Sequence, residues 1–396
     1  MNEFRRVALG EVVHHDVAAV TVTGAGAYPI VGVLNRGRGL LQREPITAAG
    51  TKYAKLNIVR EGQLVYSKLK AFEGAVTVAT GLHDGLAYAS PEFPTFTCGP
   101  AILPSYMRLV TCLPSFWDDL ARLSTGIGGR RERVAPRDLL TVELPLPPIS
   151  VQQRITDLAS AVDVSIAALD EEWSAAEAML RELRSHAFSD RGGWAVAALG
   201  DLAAITIGRT PPVDDAAYWT TDPAHPFVTI GDMADWRVQT ARRCITELAI
   251  RDGKVRPVPA GQLLMSFKLS IGRLAFTNRT VYPNEAIAWI RPHEGELVSR
   301  KFLAHWLASC DLTGASVRAV KGATLNSKSL AAIQVAVPPS NVQAELVNLL
   351  EAARTTAVAA RIERDSLSTV RSALLPALLS GYLEIPESYD ELVGAL

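Results

Sequence analysis

Apolar residues fall at Ile155, Leu158, Val162, Ile166, Leu169, Trp173, Ala176, Leu180 and Leu183. These steps of three and four place one stripe along one face of an α-helix. Neither Pro nor Gly interrupts the chain from Val151 to Phe188, and Ser150 is placed to cap the start. A second stripe, Leu346, Leu349, Leu350, Ala353, Ala357, Leu367, Val370, Leu374 and Leu378, predicts another long helix, broken by Pro376 and stopped at Gly381. A helix of about 37 residues is about 55 Å long. No single helix buries such a stripe alone, so the two are expected to pack antiparallel on each other as a rod with a module at each end. The alternative is that each stripe packs on its own module.

The segments before the helices follow another rhythm. Short β-branched or apolar runs such as Gln63–Tyr66 and Ala75–Ala79, and later Gln262–Ser266 and Arg273–Thr277, alternate with Gly, Pro and Asn. Helical patches at Ser115–Leu123 and Arg300–Ala308 lie among them. Each module is therefore α+β, and its last strand, Thr141–Leu144 or Ile333–Ala336, runs into a double proline that ends it.

The chain is written twice. Leu9-Gly10-Glu11-Val12 recurs as Leu199-Gly200-Asp201-Leu202, displaced by 190. Leu144 to Gln152, with Pro147-Pro148, recurs as Val335 to Gln343, with Pro338-Pro339, displaced by 191. Gly62-Gln63-Leu64 with Ser67 recurs as Gly261-Gln262-Leu263 with Ser266, displaced by 199. Ends that keep register around a slipping middle indicate duplication followed by loop divergence. The expected boundaries are a module over 1–146, a helix over 147–192, a second module over 193–336, a second helix over 337–382 and a tail over 383–396.

Over all 396 residues, 40 Lys+Arg oppose 41 Asp+Glu, a net charge of −1 that speaks against a polyanion partner. Division by segment reverses this. Residues 1–144 carry +3, 145–192 carry −4, 193–335 carry +4 and 336–396 carry −4. Two basic modules on acidic helices suit two contacts along one polyanion. The candidate DNA-binding residues of the first module are Arg36, Arg38, Lys68 and Lys70, with Arg130, Arg131 and Arg133 of the loop Gly126–Arg133. Those of the second are Arg209, Arg242, Arg243, Lys268, Arg273, Lys321, Asn326 and Lys328. Arginine bonds phosphates or guanine edges bidentately, and Asn is the residue type that reads adenine, although an Asn in a loop is also a turn former.

Several classes of chemistry are unsupported. There is no P-loop, no H-E-x-x-H, no G-x-S-x-G and no Asn/Asp-Pro-Pro-aromatic tetrapeptide, and Gly24-Ala25-Gly26 lacks the setting of a dinucleotide fingerprint. His14-His15 has no accompanying ligands. The four cysteines, Cys98, Cys112, Cys244 and Cys310, form no C-x-x-C pair, so reduced thiols are expected rather than zinc or disulfides. With 48% hydrophobic residues, no secretory signal and no apolar run of membrane-spanning length, a cytoplasmic protein without membrane association is expected. The chain reads as one that binds and positions, with no catalytic residue and no cofactor of its own.

The sequence resembles the DNA-specificity (S) subunit of type I restriction–modification enzymes. The resemblance rests on Leu9-Gly10-Glu11 and Leu199-Gly200-Asp201, on Gly208-Arg209-Thr210-Pro211-Pro212 followed by Tyr218-Trp219, and on Phe227 to Met233. It rests further on the helix starts Pro145 to Ile155 and Val337 to Gln343 and on the helix end Leu374 to Gly381. It implies two target-recognition domains and two conserved helices with pseudo-two-fold symmetry. It also implies double-stranded DNA and two methyltransferase (modification) subunits as partners, together with restriction subunits. S-adenosylmethionine, ATP and Mg²⁺ would belong to those partners. Unlike basic loops, Gly129-Arg130-Arg131 against Thr324-Leu325-Asn326, lead to an expectation of two different half-sites. A tandem protein-binding adaptor with a coiled-coil spacer is the competing reading.

Overall fold

A computed structural model of the chain describes residues 4–24, 26–124, 133–189, 192–293, 297–312, 317–319, 322–386 and 388–389, the side chains of 317–319 and 322–324 excepted. It divides into two compact units, Met1–Ala168 with Arg364–Leu396, and Leu169–Glu363. The two long helices are Ile149–Ser189 and Ser340–Ser380. Each unit holds the first part of one and the last part of the other.

In both units the first strand pairs antiparallel with the last, which closes the module at the base of its helix. Arg6–Ala8 lies against Glu143–Pro145 with Val7 opposite Leu144, and Ala195–Ala198 lies against Gln334–Val337 with Val196 opposite Ala336. The repeated Leu-Gly turn follows directly. Leu9 N–H donates to Val142 O, and Leu199 N–H donates to Ile333 O, both at 2.8 Å.

Unit 1 then builds a four-stranded sheet in the order Val13–His15, Thr95–Cys98, Leu64–Tyr66 and Val76–Val78. Beside it is a five-stranded sheet in the order Ala18–Thr21, Lys55–Arg60, Leu86–Ala89, Tyr28–Val33 and Leu40–Ile46. Unit 2 repeats the first sheet as Ala203–Ile207, Ile287–Pro292, Leu263–Ser266 and Leu274–Phe276. It extends that sheet with the hairpin Trp236–Val238 and Met233–Ala234. Its other main sheet is smaller, Trp219–Thr220, Arg243–Ile245, Pro226–Val228 and Tyr282–Pro283. The α+β reading holds, and the slip in mid-chain displacement is this difference in the second sheet.

Within unit 1, Ile155 and Ala159 of the first helix share a core with Leu375, Leu378 and Leu379 of the second, and with Tyr66, Phe96 and Tyr106 of the module. Further along, Asp163 pairs with Arg371, so the two helices run in opposite directions. Within unit 2, Leu180 and Phe188 share a core with Leu350 and with Phe302 and Trp306. Each stripe thus packs both on its neighbour helix and on a module. Burial of these apolar side chains, about 1.5–3 kcal/mol each, holds the helices in place.

Two expectations about the helix ends need correction. Ser150 is not the cap of the first helix. The amides of Val151 and Gln152 both donate to Pro148 O at 2.9 Å, so the turn is closed by the proline carbonyl, and Ser150 lies inside it. Nor does Pro376 break the second helix, which continues to Ser380. Leu375, Leu378 and Leu379 on either side of the proline are buried in the unit 1 core, and that burial outweighs one missing backbone bond. Gly381, with φ +79°, ends the helix as expected.

Candidate nucleic-acid interface

In unit 1 a tight turn between the strands Tyr28–Val33 and Leu40–Ile46 carries Arg36 and Arg38. Arg36 and Gly37 both adopt left-handed φ, +60° and +62°. A Cβ on Gly37 would stand 2.6 Å from Thr111 O, so only glycine permits this close approach. The turn is seated by its backbone, with Arg36 N–H donating to Glu73 O at 3.0 Å and Gly37 N–H donating to Gly74 O at 2.9 Å. Glu73 belongs to the short 3₁₀ turn Ala71–Glu73 that follows Lys68 and Lys70. The structure therefore brings Arg36, Arg38, Lys68 and Lys70, distant in sequence, into one patch.

Arg133 joins this region through Glu92, 3.6 Å away, while Lys68 N–H donates to Glu92 O and Lys68 O accepts from Val134 N–H. Lys70 Nζ is 3.3 Å from a Glu73 oxygen, an exposed pair worth little. Arg38 donates Nε–H to Asn35 O at 3.0 Å, and neither Arg36 nor Arg38 forms an ion pair among the described residues. Both are exposed. Arg130 and Arg131 lie outside the described residues, as does Lys321.

The basic residues of unit 2 gather around its smaller sheet and the adjoining turn. Gly208 precedes Arg209, and a Cβ there would stand 2.2 Å from both Asn284 O and Pro283 O. Arg209 N–H donates to Pro283 O at 3.0 Å, and its Nη1 donates to Gly253 O at 3.3 Å. Arg243 lies on the sheet with its guanidinium 3.7 Å from the centre of the Trp219 ring, and the exposed Arg242 precedes it. Lys268 leads a turn closed by Ser266, whose Oγ donates to Ser270 O and accepts from Arg273 N–H. Arg273 reaches Ile230 O through Nη1 at 3.5 Å.

Asn326 and Lys328 adjoin the Lys268 turn, since Leu325 N–H donates to Phe267 O at 2.9 Å. Asn326 caps the short helix Ser327–Ala331, its Oδ1 accepting from Ser329 N–H at 2.8 Å. As placed, the side chain does the work of a helix cap, the turn-former side of the expectation for this residue. Its counterpart in unit 1 is also different from the one expected. Leu325 N–H donates to Phe267 O as Val134 N–H donates to Lys68 O, which aligns Asn326 with Ala135 and not with Arg131. Lys328 is exposed on the same helix.

Further polar groups of unit 2 carry no motif in the sequence. A cleft of about 1080 Å³ is lined by Arg237, Arg279, Arg361, Gln239, Thr240 and Asn278. Its wall includes Asp235, which pairs with Arg361. Val238, Phe276, Val281, Val358 and Ile362 line the same cleft, so its surface is mixed, with the donors set among apolar side chains. No cluster of metal-ligating side chains exists among the described residues, and no helix among them is long and apolar enough to cross a membrane.

Comparison with known proteins gives this arrangement a context. Residues 191–363 match the family described as type I restriction modification DNA specificity domain. The specificity subunit of the type I restriction enzyme HindI from Haemophilus influenzae is 27% identical over 199 residues, 48% of this chain and 41% of that protein. That of MjaIX from Methanocaldococcus jannaschii is 25% identical over 168 residues, 40% of this chain and 37% of that one. The aligned stretches thus span less than half the length of either curated relative. The solved structure of the type I restriction–modification S subunit from M. genitalium superposes with a TM-score of 0.60 at 14% identity, covering 95% of this chain and 96% of that one. At that identity the likeness is one of fold. The second half of the chain thus resembles the type I restriction modification DNA specificity domain in sequence, and nearly the whole chain shares the fold of that solved S subunit.

Proposed function

We propose that this chain is the DNA-reading subunit of a type I restriction–modification assembly. Each unit reads one part of a bipartite, asymmetric double-stranded target, and the chain positions methyltransferase subunits, with restriction subunits, on that DNA. The observation that carries the reading is the DNA specificity domain match of residues 191–363, whose framework of paired first and last strands recurs in residues 6–145. The basic patches support it. Arg36, Arg38, Lys68 and Lys70 converge in unit 1, and Arg209, Arg242, Arg243, Lys268 and Arg273 surround one sheet and turn in unit 2. They differ in residue and in support, which suits two different half-sites.

On this reading the chain catalyses nothing itself, and S-adenosylmethionine, ATP and Mg²⁺ are held by the partners. The cytoplasm is where its DNA would lie. The test is to map methylated adenine in DNA from cells with and without this chain. Loss of a gapped, asymmetric methylation motif is the expected result. An unchanged methylation map would overturn the reading in favour of a protein-binding adaptor, whose associations would be insensitive to salt where DNA binding weakens steeply.

A further inference from the structure

Among the basic residues of unit 2, Arg243 is held in a distinctive way. Its guanidinium lies 3.7 Å over the indole of Trp219. The indole is itself fixed twice. Nε1–H donates to Pro212 O at 3.0 Å, and the ring meets Phe227 edge-on with centroids 5.0 Å apart at 88°. Phe227 is buried and stands directly opposite Arg243 across the sheet. The Pro-Pro segment after Gly208-Arg209 therefore has a structural role, because its second proline carbonyl anchors the ring that supports Arg243.

We propose that Arg243 reads a base of the target by direct bidentate contact, while its neighbour Arg242 contacts the phosphate backbone. The proposal rests on the DNA-reading function proposed above. A stacked guanidinium keeps its edge of N–H donors outward in one plane, the geometry that matches the O6 and N7 acceptors of guanine in the major groove. Most of the ordering cost of a long side chain is met by the stack before DNA arrives, so the contact discriminates instead of merely attracting. Arg243 forms no ion pair among the described residues, so no carboxylate competes for its donors. Arg242 is exposed and has no such support. A mobile point charge serves phosphates of any sequence equally.

The test uses the full chain in its own cells, with methylated-adenine motifs mapped for wild type, Arg243→Ala, Arg243→Lys and Arg242→Ala. Binding of each purified chain to a pool of randomised duplex DNA is measured in parallel. Lysine keeps the charge and loses the planar fork, which separates the two roles. Discrimination at one base pair of one half-site should fall about 10- to 100-fold in both Arg243 variants. The other half-site stays intact in the same molecule and reports that the chain is folded. Arg242→Ala should lower occupancy without altering the motif. A motif unchanged in Arg243→Lys, or a uniform loss across all sequences in either Arg243 variant, overturns the proposal and leaves the DNA-reading function standing. A wild-type chain without any sequence preference would instead overturn that function.

Discussion

Gln343 makes in unit 2 the hydrogen bonds that Gln152 makes in unit 1. Gln152 accepts at Oε1 from Leu103 N–H at 2.9 Å and donates Nε2–H to Ala101 O and Pro147 O, both at 2.9 Å. Gln343 accepts from Ser299 N–H at 3.3 Å and donates to Leu297 O at 2.6 Å and Pro338 O at 3.0 Å. In each case one buried carboxamide ties the start of a long helix to the residue that caps a helix of the module, Pro104–Val110 or Arg300–Ser309. Glutamine suits this position because it offers an acceptor and two donors at one tip.

Replacing Gln152 with leucine leaves the buried Pro147 carbonyl and the half-buried Leu103 amide without this partner, while the exposed Ala101 carbonyl can turn to water. At about 1–3 kcal/mol for a buried unsatisfied group, Gln152→Leu should destabilise the chain by about 2–3 kcal/mol. Gln343→Leu should do the same. Chemical denaturation of each variant against wild type measures it, and a loss below about 1 kcal/mol would mean that water enters and satisfies these groups.

Much of the framework was readable because it is local and duplicated. The Leu-Gly turns, the double prolines and the two glutamines recur at nearly one displacement, and they prove to be the residues that close each module on its helix. Even so, in sequence the glutamines are only letters of a motif, since nothing there says which carbonyls they will meet. The buried ionic cluster of unit 2 was invisible for a related reason. Its members Arg184, His305 and Glu351 are separated by 121 and 46 residues. Unit 1 places leucines such as Leu109 and Leu375 in the corresponding core. Asn326 is ambiguous in sequence between a reader and a turn former, and its bond to the Ser329 amide, which shows it capping a helix, is not written in the sequence.

That cluster makes unit 2 sensitive to acid. Arg184 Nε–H donates to His305 Nδ1 at 3.4 Å, and because a guanidinium cannot accept, Nδ1 carries the lone pair. Nε2 then carries the hydrogen and donates to Glu351 Oε1 at 3.1 Å, which makes His305 a neutral imidazole. Burial lowers the His305 pKa from its ordinary value. The hydrogen bond from His305, helped by Arg354, holds the Glu351 carboxyl well below the usual carboxylate range. Both folded values are depressed, so both contributions are present at neutral pH and are lost as pH falls. The histidine part fades from about pH 6.5 downward and the glutamate part only below about pH 4.3, the values of the unfolded chain. His305→Leu should flatten the stability curve just below about pH 6.5 and, because it also removes the bond that lowers Glu351, shrink the acid limb below about pH 4.3. Denaturation midpoints across that range would decide, and parallel curves for the two proteins would refute the assignment.

Two glycines should refuse a methyl group where a third accepts it. At Gly208 a Cβ meets two backbone carbonyls at 2.2 Å, and at Gly37 it meets Thr111 O at 2.6 Å on a left-handed backbone. No heavy atom lies within 4 Å of the position at Gly24. Gly208→Ala and Gly37→Ala should each cost about 3 kcal/mol, and Gly24→Ala should stay within about 0.5 kcal/mol of wild type. Thermal unfolding of the three variants tests the order. Equal effects at Gly208 and Gly24 would show that the Pro283–Asn284 segment moves aside freely.

Gly37 also sets the exposure of the arginines on either side of it, so the same turn predicts a binding phenotype. On the proposed function, Arg36 and Arg38 neutralise phosphates, because they are exposed, unpaired by carboxylates among the described residues and seated by backbone contacts alone. Each phosphate neutralised adds about 0.9 to the slope of log affinity against log salt. Arg36→Ala and Arg38→Ala should therefore each reduce that slope by about one while leaving sequence preference unchanged. Titration of duplex DNA at several salt concentrations gives the slope directly. A variant that weakens binding at one target sequence only, with the wild-type slope retained, would move that arginine from the backbone to a base edge.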